Sequence, residues 1–312
     1  MNKLLGLFLI ALAFLAPQSA FAVTCFWVGG TGTWDTTNTG GGGSGGIKWA
    51  SASGGATPCG GGGTGGSPSS GDAATFDASS GGGTVTVNYG GLITLQSFDI
   101  GTFTGTLDFA TNNNSITVTN ATAFNITGAG IKTLNMGSGT WTTSNNQGLW
   151  NCGTCANLTL VPGTSTIAFT GTGGNVSRRF IGGGKTYANV SFVSGTSPVQ
   201  FSNTGTTIGT LTISPGNTVI IDGSATVTTL TNISGSSSNQ TLFTGTNPIF
   251  GPQTLAITNN WTCDWCGFSG IAFSGAGSKT ATNSFDGKTN TGTISITPPS
   301  GGGGGGGRII GG

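Results

Sequence analysis

The chain has 312 residues, of which 62 are glycine and only 5% are charged, against about 25% in an ordinary soluble domain. It has no histidine, and its eight acidic residues are all aspartate. These absences exclude a histidine-based catalytic triad, an imidazole metal site and a glutamate general acid. The formal net charge is +1, and Arg178-Arg179 is the only basic pair, which we expect in a solvated turn. This argues against nucleic acid as a partner.

The N-terminal segment has the layout of a secretory signal peptide. Lys3 supplies a positive charge, residues 4–16 form an apolar run, and Ala20 and Ala22 supply the small residues of a cleavage site. The run is shorter than the roughly 20 residues that a helix needs to span a bilayer. We therefore predict that residues 1–22 are removed, that the mature chain is secreted or held at the cell surface, and that it makes no stable membrane insertion.

The six cysteines suit an oxidising compartment because their number is even. Their spacing predicts three local disulfides: Cys25–Cys59, Cys152–Cys155 and Cys263–Cys266. Cys-x-x-Cys motifs also occur in zinc and thiol-redox sites, but zinc ribbons keep their two pairs close, whereas the two motifs here lie far apart. We expect structural disulfides and no cofactor.

From Thr84 onward, pairs of alternating apolar residues recur, each followed by a turn rich in Gly, Asn, Ser or Thr. The pairs include Val85/Val87, Leu107/Phe109, Ile116/Val118, Phe124/Ile126, Leu134/Met136, Leu158/Leu160, Ile167/Phe169, Val190/Phe192, Val199/Phe201, Leu211/Ile213, Val219/Ile221 and Ile271/Phe273. Such alternation predicts short strands with one buried face, and it excludes helices from this part of the chain.

Short strands of this kind can form a parallel β-helix or a tandem of β-sandwiches. The roughly 210 residues involved exceed a single immunoglobulin-type sandwich of about 100 residues. Coils of roughly 20–25 residues would each bury an apolar face on the next coil and give about nine turns. We therefore predict an all-β fold, a parallel β-helix (β-solenoid), and keep tandem β-sandwiches as the alternative.

A solenoid exposes unpaired strand edges at both ends and needs caps there. We divide the mature chain into a Gly- and Trp-rich cap module (23–83), β-helix coils (84–250), C-terminal coils with a cap (251–297) and a Gly-rich flexible tail (298–312). Four tryptophans lie near cysteines in the two caps: Trp27, Trp34, Trp261 and Trp265. Their rings either pack in the cap core, which we favour, or form platforms on which carbohydrate stacks.

The aspartates are scattered along the chain, and only Asp72 and Asp77 are close in sequence. An enzyme that cleaves polysaccharide needs clustered carboxylates, often with Ca²⁺. Asp72 and Asp77 either ligate Ca²⁺ or, as we favour, cap turns through hydrogen bonds to the backbone. Asp222 follows two isoleucines and precedes a glycine, which indicates a turn at a strand end. We expect no catalytic site.

One motif resembles the opening module of repetitive exported β-helix proteins. It consists of Trp27-Val28-Gly29-Gly30-Thr31-Gly32-Thr33-Trp34-Asp35, followed by Trp49 and by Asp72-Ala73-Ala74-Thr75-Phe76-Asp77. It is similar to strand repeats of autotransporter passengers and to secreted proteins of phage and environmental bacterial genomes. Residues 283–292 resemble the closing pattern of that group, and the Gly-rich end resembles tails of phage structural proteins. The resemblance implies an extracellular, non-catalytic role in surface attachment or virion structure.

Three functions are compatible with these features. The first, which we favour, is adhesion to a cell surface or a carbohydrate ligand through a long face rich in Thr, Ser and Asn. The second is a phage-encoded virion or tail component, and the third is a polysaccharide-degrading enzyme. The near-zero net charge favours association, which predicts a homo-oligomer.

Overall fold

In a computed structural model of the chain, the described residues are 22–42, 44–59, 66–121, 123–173, 177–193, 195, 198–202, 205–231, 233–246, 252–287 and 289–300. They form 30 short strands and two 3-10 helices, Ser44–Gly46 and Ala78–Ser80. The fold is all-β, with 47% strand and 2% helix. The predicted signal peptide, apart from Ala22, and residues 301–312 of the predicted tail lie outside the described residues.

The strands are two to eight residues long. The first fifteen are β1 (Thr24–Trp27), β2 (Gly32–Trp34), β3 (Trp49–Ala50), β4 (Ala73–Thr75), β5 (Thr84–Val87), β6 (Ile93–Leu95), β7 (Ser97–Asp99), β8 (Thr106–Asp108), β9 (Ile116–Val118), β10 (Phe124–Asn125), β11 (Lys132–Asn135), β12 (Thr140–Thr143), β13 (Leu149–Asn151), β14 (Leu158–Val161) and β15 (Thr166–Phe169). The others are β16 (Arg178–Ile181), β17 (Thr186–Phe192), β18 (Val199–Ser202), β19 (Thr206–Ile213), β20 (Thr218–Asp222), β21 (Ala225–Thr231), β22 (Thr241–Gly245), β23 (Gln253–Ile257), β24 (Trp261–Asp264), β25 (Cys266–Ser269), β26 (Ile271–Ser274), β27 (Lys279–Thr282), β28 (Phe285–Asp286), β29 (Thr291–Gly292) and β30 (Ser295–Ile296).

Successive coils place their strands side by side in four sheets. Sheet 1 has twelve strands in the order β28-β25-β22-β20-β18-β16-β13-β10-β7-β4-β1-β3, and sheet 2 has five, β14-β11-β8-β5-β2. Sheet 3 has ten strands, β29-β26-β23-β21-β19-β17-β15-β12-β9-β6, and sheet 4 has three, β24-β27-β30. Among the described strands, every pair except β1–β3 is parallel, and the whole is a β-solenoid of about nine turns. The predicted solenoid is confirmed, and tandem β-sandwiches are wrong.

Coil length varies over a wider range than the predicted 20–25 residues. Trp150 pairs with Phe180, 30 residues later, whereas Phe268 pairs with Asp286 only 18 residues later. Early coils contribute a strand to each of sheets 1, 2 and 3, but β17, β19 and β21 each form one long strand in place of two. In each long strand the alternation of buried side chains is interrupted once, and in β19 the interruption lies at Gly209. A Cβ atom on Gly209 would lie 2.6 Å from the carbonyl oxygen of Ala188, so glycine allows adjacent coils to approach closely there.

The core is a single apolar column that follows the solenoid axis, because each strand turns alternate side chains inward. Aromatic rings fill much of it, with centroids 4.5 Å apart for Phe109 and Trp141 and 4.4 Å apart for Phe169 and Phe192. Such pairs contribute about 0.5–1.5 kcal/mol beyond the burial of their area. The coils are thus joined by ring contacts as well as by backbone hydrogen bonds.

The N-terminal end of the stack is covered by a short antiparallel element. Strand β3 pairs with β1, and an isolated bridge joins Ala50 to Pro58. The Cys25–Cys59 disulfide, with Cα atoms 5.4 Å apart, ties this element to the first coil. The other two disulfides join Cys152 to Cys155 and Cys263 to Cys266. All three predicted pairings are confirmed.

The predicted boundary between cap module and coils at residues 83/84 is wrong. Strand β1 pairs in parallel with β4, β4 pairs with β7, and β2 pairs with β5, so the solenoid begins at Thr24. The first coil is hard to recognise in the sequence because the cap element and its glycine-rich loops are inserted between β2 and β4.

Candidate functional site

The outward side of sheet 3 presents a regular array of hydroxyl groups. Five adjacent strands, β12, β15, β17, β19 and β21, each carry two outward side chains separated by one buried residue. In strand order these outward pairs are Thr140/Thr142, Thr166/Ala168, Asn189/Ser191, Thr210/Thr212 and Thr229/Thr231. Eight of the ten side chains bear a hydroxyl. We call this array the hydroxyl face.

The register of the sheet aligns these side chains in two straight columns. Thr140 pairs with Thr166, Thr166 with Asn189, Asn189 with Thr210 and Thr210 with Thr229. The second column runs in parallel from Thr142 to Thr231, and Thr117 and Thr94 extend it by two coils. Neighbouring strands lie about 4.8 Å apart, and positions two residues apart on one strand lie about 6.6 Å apart. Sequence reasoning anticipated a polar exterior but not this alignment.

Some of the hydroxyls are engaged and others are open. The hydroxyls of Thr212 and Thr231 lie 3.0 Å apart, and the amide of Asn259 donates to Oγ1 of Thr229 at 2.9 Å. Within the described residues, the side chains of four face threonines make no hydrogen bond: Thr140, Thr142, Thr166 and Thr210. All of the array is partly exposed. Its open hydroxyls can each donate one hydrogen bond and accept others.

Sheet 3 also differs from the other sheets in charge. Within the described residues, its outward positions carry no ionisable side chain. Sheet 1, in contrast, carries a ladder in which Nδ2 of Asn125 donates to Asp99 at 2.9 Å and Nδ2 of Asn151 donates to Asn125 at 3.3 Å. Further along sheet 1, the hydroxyls of Ser202 and Thr246 donate to Asp222 at 3.2 and 3.1 Å. Polar groups on sheet 1 thus bond mainly to one another.

Asp72 and Asp77 cap turns, the role that we favoured over calcium ligation. The carboxylate of Asp72 accepts hydrogen bonds from the backbone N–H and hydroxyl of Ser69 at 2.9 and 2.8 Å. Asp77 caps the second 3-10 helix by accepting from the N–H of Ser79 at 2.8 Å. Neither carboxylate belongs to a group of three or more metal-ligating side chains within the described residues. Their lone pairs stabilise the local backbone.

The other aspartates are engaged in the same way. Each of the six accepts a hydrogen bond from a side chain or a backbone N–H nearby: Asp35, Asp99, Asp108, Asp222, Asp264 and Asp286. Asp222 lies at the end of β20, as its turn position predicted. The fold therefore distributes the acids over separate corners and ladders.

Asp35 forms an ion pair at the N-terminal end of the solenoid. The buried ammonium of Lys48 donates to both carboxylate oxygens at 2.8 Å, and the hydroxyl of Thr37 donates at 2.7 Å. Partial burial alone would raise the pKa of Asp35, but the hydrogen bonds from Lys48 and Thr37 and the ammonium charge lower it below its ordinary value. While Asp35 is ionised, this ion pair links the cap element to the first coil.

Arg178 is buried in β16, so the prediction of a solvated turn is wrong for this residue. Its guanidinium donates to the carbonyl of Val193 at 2.7 Å and to Oδ1 of Asn217 at 2.5 Å, and it lies 6.0 Å from the ring centre of Phe192. Burial lowers the pKa of Arg178. Arg179, the next residue on the strand, is exposed. Neighbouring coils supply the carbonyl and amide that make this burial tolerable.

Two buried lysines also stabilise backbone turns. Nζ of Lys132 donates to the carbonyl of Gly101 at 2.7 Å, and Nζ of Lys279 donates to that of Gly277 at 2.6 Å. Burial lowers the pKa of Lys132, and the charge of Asp99 offsets part of this effect. These cations thus satisfy carbonyl groups at the corners of the coils.

The carbohydrate-stacking interpretation is wrong for three of the four cap tryptophans. Trp27 and Trp34 are fully buried, and Trp261 is 4% exposed. The indole N–H of Trp27 donates to the carbonyl of Gly30 at 2.9 Å, and that of Trp34 donates to Oγ of Ser67 at 2.8 Å. Trp265, between β24 and β25, is partly exposed, and a stacking role for it stays a prediction. Packing in the cap core, the favoured alternative, is confirmed for the buried three.

Two further observations concern membrane-spanning helices and similarity to known proteins. Among the described residues, no helix is long and apolar enough to cross a bilayer. Comparison with protein-family models, with curated proteins and with solved structures gives no match. The resemblance to exported β-helix proteins therefore stays a prediction based on its motifs.

Proposed function

We propose that this chain is an exported, non-catalytic β-solenoid that attaches to a cell surface or a glycan. The single observation that carries the proposal is the hydroxyl face, a repetitive surface of partly exposed threonine, serine and asparagine side chains. Its extent along the solenoid axis suits contact with an extended surface better than capture of a small molecule. Repeat architectures commonly use such elongated surfaces for binding.

The disulfides support the exported part of the proposal. Three disulfides include every cysteine of the described residues and point to an oxidising compartment. The predicted signal peptide provides a route to that compartment. Secretion from that compartment to the outside of the cell is part of the proposal.

The placement of the charged groups supports a non-catalytic role. Hydrolysis or elimination of polysaccharide needs two or more ionisable groups that converge on one bond. The aspartates here are engaged separately in turn caps and ladders, and buried lysines contact backbone carbonyls. These separate roles in turns and ladders support the non-catalytic part of the proposal.

Binding and turnover assays on the mature chain test this proposal. Purified residues 23–312 should bind whole cells or members of a glycan array, and they should release no sugar from a polysaccharide panel. A triple variant, Asp72→Asn, Asp77→Asn and Asp222→Asn, serves as the control for turnover. Failure to bind any cell or glycan would contradict attachment, and sugar release by the wild type that the triple variant lacks would contradict the non-catalytic role.

A further inference from the structure

We infer that the hydroxyl face binds an uncharged polysaccharide that lies along the solenoid axis, with successive sugar units against successive coils. This inference rests on the proposed attachment function and names the surface and the ligand class. Its basis is the combination of repeat, open hydroxyls and absence of charge on the outward positions of sheet 3 within the described residues.

The repeat of the face matches a polymeric ligand. Five coils at about 4.8 Å spacing give two columns about 19 Å long, and Thr117 and Thr94 lengthen one of them. Each threonine offers a methyl group beside a hydroxyl, and a sugar unit likewise combines C–H surfaces with hydroxyls. Because a hydroxyl both donates and accepts, the array can pair with alcohol groups in either orientation.

The neutrality of the face selects against charged polymers. A polyanion such as alginate needs Lys or Arg for charge-assisted hydrogen bonds, and these outward positions provide neither. The ionisable groups exposed on sheet 1, including Asp222 and Arg179, would instead incur a desolvation cost against a neutral partner.

The other two large sheets fit this ligand less well. Sheet 1 has its polar side chains bonded to each other, as in the Asp99–Asn125–Asn151 ladder. Sheet 2 has only five strands, and one of its outward columns passes through Asp108 and ends at Val161. Sheet 3 thus combines length, open hydroxyls and neutrality.

A polymer on this array should bind through many weak contacts. Each added sugar unit makes its contacts intramolecularly, so the affinity should rise steeply with chain length until the ligand spans the columns. A pocket for one or two sugars would show no such rise. Length dependence is therefore the signature that separates this array from an ordinary lectin site.

The test measures binding of the mature protein to unbranched neutral glucan fractions of defined length, with alginate of matched length as the charged probe. The face variant replaces four open hydroxyls with methyl groups: Thr140→Val, Thr142→Val, Thr166→Val and Thr210→Val. The matched control makes the same change on sheet 2: Thr84→Val, Thr106→Val, Thr133→Val and Thr159→Val. Valine suits strands at both sets of positions, and circular dichroism checks folding.

We expect wild-type affinity for glucan to rise with length and to exceed that for alginate. The face variant should lose more than about tenfold in affinity, and the control should stay within about twofold of wild type. A serine variant at the same four face positions keeps the hydroxyls and should retain binding, which also covers failure of the valine variant to fold. Equal binding by face variant and control, no rise with length, or equal binding of alginate would overturn this inference while leaving attachment intact. Absence of wild-type binding to any cell or glycan would overturn both.

Discussion

Replacing Trp141 with phenylalanine should cost less stability than the same replacement at Trp150. Both indoles are fully buried, and their ring centroids lie 6.0 Å apart in adjacent coils. They differ in the hydrogen bonding of one polar atom, the indole nitrogen Nε1. Nε1 of Trp150 donates to the hydroxyl of Tyr187 at 3.2 Å, whereas Nε1 of Trp141 has no hydrogen-bond partner within the described residues.

The expected difference in the free energy of unfolding follows from the hydrogen bonding of Nε1. Both replacements remove the same part of an indole from a packed core, so the cavity terms largely cancel in the comparison. The Trp141 change also removes a buried, unpaired N–H, whose desolvation costs about 1–3 kcal/mol, whereas the Trp150 change loses a hydrogen bond contributing about 1 kcal/mol. The free energy of unfolding of Trp141→Phe should therefore exceed that of Trp150→Phe by about 2–4 kcal/mol.

Urea unfolding followed by far-ultraviolet circular dichroism measures this difference. The two rings contact each other, so both variants report on the same cooperative part of the solenoid. Tyr187→Phe provides a control, because it leaves the indole N–H of Trp150 unpaired while keeping the ring. Burial raises the pKa of Tyr187, so its hydroxyl stays protonated, and it donates to the carbonyl of Gly182 at 3.0 Å. Equal losses at Trp141 and Trp150, or a larger loss at Trp141, would refute the reasoning.

Three further changes probe the disulfides, the ion pair and the turns. Replacing Cys25 and Cys59 by alanine should cost about 4 kcal/mol in urea unfolding, about twice the loss at either short bridge, because the loop that this bridge closes is far longer. Asp35→Asn should destabilise the protein at neutral pH, and its difference from wild type should vanish as the pH falls below 3.8 through the lowered folded pKa. Gly183→Ala should lower the melting temperature more than Gly90→Ala. Both glycines have positive φ, but only at Gly183 would a Cβ overlap a carbonyl of the neighbouring coil.

Each of these predictions has an outcome that contradicts it. Equal destabilisation by the long and short bridges would show that loop length does not set the effect. A stability gap between Asp35→Asn and wild type that persists in acid would rule out the ionised carboxylate as its source. Equal melting temperatures for the two alanine variants would show that the positive φ accounts for the whole loss of stability and that the contact between coils adds nothing.

Local pattern alone determined the class of the fold. Alternating apolar pairs such as Leu107/Phe109 and Val219/Ile221 require strands with one buried face, since successive side chains of a strand point to opposite sides. Cysteine spacing also predicted the two short disulfides, because partners three residues apart meet where the backbone turns, and it left Cys25 and Cys59 as the remaining pair. The strand pattern and the short disulfides depend on a few neighbouring residues and are the same whichever register the coils adopt when they stack.

Only the tertiary structure decided which side chains share a surface. Thr142, Ser191 and Thr231 come from different coils of unequal length, and nothing local indicates that they stand in one column. The same holds for Arg178, whose charge suggested solvent until adjacent coils supplied a carbonyl and an amide around it. Parallel stacking sets these contacts through the register between coils, which depends on the length of every intervening loop and corner. The sequence therefore determined which apolar side chains each strand buries, and the stacking determined which polar groups are buried and what the surface presents.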